Sequence, residues 1–135
     1  MNHFSFADLN IWAIIVVSVL NMVIGALWYS RLLFGNAWMK GIGFKPDEQG
    51  APPVVFVLVF ILGIVIAVFL AMFLQGVNNA ATGLAYGVLL ALGFVVPTMI
   101  THYLMEKRSS QFILIVAGHE LVVFMVYGAV LGGWQ

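Results

Sequence analysis

The chain has 135 residues, is 64% hydrophobic and 7% charged, and carries a formal net charge of +0, which excludes both the charged shell of a soluble domain and a basic nucleic-acid face. It has no cysteine, so disulfides, thiolate metal sites and a cysteine nucleophile are excluded as well. Its length suits one domain, residues 1–135.

Four apolar stretches dominate: Leu9–Tyr29, Val54–Gln75, Ala80–Leu104 and Phe112–Gly133. Each offers about 20 residues or more, enough for a helix to cross a ~30 Å hydrocarbon layer. The predicted fold is all-α: a polytopic membrane protein with four transmembrane helices in an antiparallel bundle. Residues 1–10 contain no Lys or Arg and the first stretch is full length, so it reads as a retained span and not a cleaved signal. All five basic residues fall in two gaps: Arg31, Lys40 and Lys45 in the first, Lys107 and Arg108 in the third. The positive-inside rule then places loops 30–53 and 105–111 in the cytoplasm and both termini outside an inner (plasma) membrane.

The first loop opens with Trp28, Tyr29, Phe34 and Trp38, rings suited to the headgroup layer, while Arg31 and Lys40 can snorkel toward phosphates. A short interfacial helix or re-entrant turn is expected here, ended by Gly41-Ile42-Gly43. Lys45-Pro46-Asp47-Glu48 reads as the start of a helical turn, and Pro52-Pro53 opens the second span.

Between spans, close approach at small residues and interhelical hydrogen bonds replace the hydrophobic drive. Gly63, Ala67 and Ala71 in the second span, and Gly83, Gly87 and Ala91 in the third, repeat at four-residue steps. These rows are predicted to face one another in a tight hairpin, making spans two and three antiparallel neighbours, as are three and four. Pro97 removes a donor and displaces the Gly93 carbonyl, so a kink is expected at Gly93–Pro97, with Thr98 or Thr101 satisfying freed backbone groups.

Glu120 is the acid placed near the middle of the fourth span, where an ionised carboxylate costs several kcal/mol unless paired, hydrated or protonated. It is expected to face the interior with Val116, Phe124 and Tyr127, while His119 points about 100° away. Asn21 lies at similar depth on a stripe with Ser18, Gly25 and Trp28, and an Asn21–Glu120 hydrogen bond would satisfy both groups. Asn21, Thr98, His119 and Glu120 thus form a predicted intramembrane cluster. It is either a brace that fixes helix register or a proton- or ligand-handling site. His102 reads as an interfacial histidine. No metal site or cofactor is predicted.

The run Gly25-Ala26-Leu27-Trp28-Tyr29-Ser30, with Leu32-Leu33-Phe34-Gly35 and Ala37-Trp38-Met39-Lys40 after it, resembles the signature of the DUF1761 family. The likeness extends through Gly93-Phe94, Glu106 to Ser109, Gly118 and Gly132-Gly133-Trp134, nearly the whole chain. It implies a small bacterial four-span membrane protein of uncharacterised activity. Arg31 stands where relatives have Pro, and His119 where an aromatic residue is common. The expected function is a non-catalytic oligomeric or accessory membrane subunit, with lipid, further copies or another membrane protein as partners. The rival is a proton-coupled small-molecule transporter or channel using Glu120.

Overall fold

The computed structural model describes residues 5–43 and 52–135, and these are helical with short connections. In chain order come α1 (Ile11–Trp28), α2 (Gly35–Ile42), α3 (Pro53–Phe73), α4 (Ala80–Leu90), a π-helical turn (Ala91–Val95), α5 (Val96–Met105) and α6 (Ser110–Gly133). From α4 through the π turn to α5 the helix is continuous, so four spans, Ile11–Trp28, Pro53–Phe73, Ala80–Met105 and Ser110–Gly133, are long and apolar enough to cross a bilayer. The turn expected at Lys45 to Glu48 lies outside the described residues.

Local chemistry sets the helix ends. Asn10, Asn79 and Ser109 are N-caps whose side-chain oxygens accept backbone N–H groups from Ala13, from Ala81 and Thr82, and from Phe112 respectively. Pro53 opens α3, where its missing N–H costs nothing. α2 is the expected interfacial helix, and Gly43 closes it in the left-handed region at φ 73°. Beside it Leu32 and Leu33 are exposed.

α6 is the hub, touching every other helix and the π turn. The most extensive pairing is α4 with α6, followed by α1 with α3 and α1 with α6. The predicted facing of the two small-residue rows is therefore corrected. A Cβ on Gly83 would run into the Gly128 carbonyl oxygen, and one on Gly87 into the Phe124 carbonyl oxygen. The third-span row thus packs on Gly128 and Gly132 of span four. The second-span row is buried as well, but against span one and Tyr127: a Cβ on Gly63 would lie 2.9 Å from Asn21 Nδ2 and 3.1 Å from Tyr127 Oη. Between spans two and three, Phe73 and Tyr86 pack edge to face at 6.4 Å, and no extensive helix pairing joins the two among the described residues. A glycine row has no address of its own. The helix offering the flattest opposing backbone takes it, and Gly128-x-x-x-Gly132 is that surface.

The Pro97 problem is solved by widening the helix. The Val96 N–H bonds five residues back to the Ala91 carbonyl, so a π turn precedes the proline. Thr98 donates its hydroxyl to the Phe94 carbonyl at 2.6 Å and Thr101 to Pro97 at 2.9 Å, as expected of hydroxyls near that break.

At the end holding the α3–α4 connection, side chains stitch the segments together. Gln75 Nε2 donates to the Ser5 and Ala7 carbonyls at 2.9 and 3.1 Å, and Asn10 Nδ2 donates to the Trp134 carbonyl at 3.2 Å.

Candidate functional site

Span one delivers Trp28 and Tyr29 to the opposite end of the bundle, where the chain folds back. The Phe34 N–H bonds to the Trp28 carbonyl at 3.0 Å and the Gly35 N–H to Ser30 at 2.8 Å. The turn is so tight that a Cβ on Gly35 would overlap the Tyr29 carbonyl oxygen. Only glycine fits there, and α2 starts from it.

This fold-back assembles the aromatic residues on span four. Trp28 Nε1 donates to the Ile115 carbonyl at 2.9 Å, and Phe34 packs on the indole at 4.8 Å between centroids. Trp38 of α2 packs on Tyr29 at 4.9 Å. Both Trp28 and Tyr29 in turn lie on His119, at 6.3 and 5.0 Å. Glycine shapes the seat: Gly25 leaves the space beside His119 Nε2, and Gly118 leaves the space for the indole.

His119 is buried, its side chain 11% exposed, and neither ring nitrogen has a hydrogen-bond partner. Nδ1 lies 3.5 Å from Glu120 Oε1. The Glu120 side chain is 30% exposed, so the sequence expectation is inverted: the histidine is the interior group and the carboxylate the half-exposed one.

Asn21 is not in this pair's shell. No hydrogen bond among the described residues joins it to Glu120. It belongs to a second polar knot deeper in the bundle, where Tyr127 donates its hydroxyl to the Gly63 carbonyl at 3.1 Å and lies in reach of Ser18 and Asn21. Ser18, fully buried, donates to the Ile14 carbonyl at 2.7 Å. Tyr127 thus ties span four to span two through the Gly63 carbonyl. Thr98 also leaves the cluster: it is exposed on span three, where its own helix satisfies its hydroxyl. His102 is exposed on that span too.

Contacts that the sequence reading did not foresee complete the site. α2 is pinned to the root of span four by Arg108, whose Nη1 donates to the Gly41 carbonyl at 3.2 Å. The Phe112 ring packs so closely on Gly41 that a Cβ there would meet Cδ2 at 2.6 Å. Gly118 stood in the sequence only as part of the family likeness; its contact with Trp28 of another helix is not announced by any local pattern. Among the described residues no group of three or more His, Asp or Glu side chains is placed to hold a metal ion.

A family model described as "Protein of unknown function (DUF1761)" matches residues 12–132. No curated protein and no solved structure matches the chain.

Proposed function

We propose, from the premise that the chain belongs to the DUF1761 family, that it is a non-catalytic membrane subunit working as an oligomer or alongside another membrane protein. Glu120 is the observation that carries this reading. It sits well inside the fourth span with its side chain 30% exposed at the surface of the single chain, and His119 is its only ion-pair partner among the described residues. A carboxylate left partly open to hydrocarbon costs several kcal/mol, and a further helix over it removes that exposure. Photobleaching step counts of the labelled chain, reconstituted at high lipid excess, test the reading. Two or more copies per particle, or a co-purifying membrane protein, support it; single copies with no partner count against it.

The His119–Glu120 pair favours a second reading, a proton-coupled transporter or channel. His119 Nδ1 lies 3.5 Å from Glu120 Oε1 within the fourth span, and carboxylate and imidazole side chains inside transmembrane helices mark proton and substrate paths. Glu120→Gln keeps the shape and removes the titration. If pH-driven uptake or efflux in proteoliposomes is absent, or is the same in this variant, the transport reading fails.

A further inference from the structure

Where α2 meets the α5–α6 connection, a groove of about 390 Å³ opens between the two loops. Its walls carry Lys40 from α2, and Glu106, Lys107, Arg108 and Ser109 from the connection. Three of the chain's five Lys and Arg side chains thus converge on one concavity, against one carboxylate. That carboxylate is already engaged, with Arg108 Nε 3.3 Å from Glu106 Oε2. Arg108 is fixed by its bond to the Gly41 carbonyl and lies over the Phe112 ring at 5.2 Å. Lys40 and Lys107 are exposed, and neither forms an ion pair among the described residues.

The backbone singles out Lys107. It follows the end of α5 at φ 59°, in the left-handed region where glycine is the ordinary occupant. A lysine there accepts strain that glycine would avoid, and what it adds is an ammonium group at the groove. Ser109 caps α6, so the positive end of a 24-residue helix also lies beside the groove. Next to it Leu104 and Met105 are strongly exposed, an apolar flank bordering a cationic hollow.

We propose that this groove binds the phosphate of an anionic phospholipid headgroup in the adjoining leaflet. Lys40 and Lys107 contact the phosphate oxygens, Arg108 adds a fixed positive charge, and the acyl chains run along Leu104 and Met105. Basic hollows between transmembrane helices at headgroup depth recognise anionic lipids in this way. The apolar flank favours a lipid over a free anion, which would gain nothing from it.

Native mass spectrometry of the purified full-length protein tests the proposal, with phosphatidylglycerol, phosphatidylcholine and inorganic phosphate as probes. The wild type is expected to retain phosphatidylglycerol in preference to phosphatidylcholine, with millimolar inorganic phosphate displacing little of it. Each of Lys40→Gln and Lys107→Gln should weaken retention about fivefold, following the contribution of a basic residue near an anionic surface. Lys107→Gly is the second variant: it relieves the backbone, so the melting temperature holds or rises while phosphatidylglycerol retention falls. Equal retention of the two lipids, unchanged retention in a folded variant carrying both Lys40→Gln and Lys107→Gln, or full displacement by inorganic phosphate would each overturn the proposal.

Discussion

Trp28 lies against Gly118 so closely that a Cβ on the glycine would come within 2.9 Å of the indole Cζ2. The same indole donates to the Ile115 carbonyl one turn earlier on α6. Span one is thus locked to span four by a ring that fits over one glycine and bonds beside it. Gly118→Ala forces that ring to shift, and a destabilisation of about 1–3 kcal/mol is expected, read as a lower melting temperature in detergent. Trp28→Phe removes the hydrogen bond but keeps a ring and should cost about 1 kcal/mol from the bond alone.

The seam between α4 and α6 is backbone against backbone, so it tolerates no added methyl. Gly87→Ala should destabilise the protein by ~1–3 kcal/mol or more, since the obstacle is the Phe124 carbonyl and not a side chain that can turn. Gly93→Ala is the internal control. Nothing lies within 4 Å of its Cβ position, so the change should be neutral or stabilising by up to about 1 kcal/mol through helix propensity. Equal effects at the two positions in circular-dichroism melts would contradict the seam.

Much of this architecture was legible in the sequence, for physical reasons. Span length and apolarity are set by bilayer thickness, so four helices able to cross it could be read directly. Rings and basic residues between Trp28 and Lys40 marked α2, and Gly43 marked its end. Pairing was harder. Gly83 and Gly87 announced a close contact without naming the partner, and Gly128 and Gly132, at the same four-residue step, were the overlooked clue. Depth along a helix suggested Asn21 for Glu120, but two groups at one depth can face different neighbours. Asn21 went with Tyr127 and Gly63 instead. Thr98 misled because a hydroxyl that bonds its own helix needs no partner elsewhere.

Tyr127→Phe isolates the deeper knot. Losing the donation to the Gly63 carbonyl should cost about 0.6 kcal/mol, and up to ~1.7, as interhelical hydrogen bonds in membranes do. Refolding titrations in mixed detergent micelles measure it; no loss at all would remove Tyr127 as the brace.

His119 carries two buried nitrogens without hydrogen bonds, so an apolar ring of similar shape should serve the fold as well. His119→Phe is expected to change stability by less than about 1 kcal/mol in either direction. A loss well beyond that in thermal melts would mean that the imidazole makes a polar contact the fold depends on.

The first loop doubles back and docks on the root of span four, bringing Lys40 beside Lys107 and Arg108 on one face. A Cβ on Gly41 lies 3.2 Å from the Phe112 Cβ, so a small outward shift brings the two to the roughly 3.5–4.5 Å that a disulfide spans. The chain has no native cysteine, so Gly41→Cys with Phe112→Cys gives a clean pair. Mild oxidation in intact membranes should join the two within one chain, raising gel mobility and blocking thiol labelling. Two free thiols after oxidation, labelled from opposite sides of the membrane, would contradict the account.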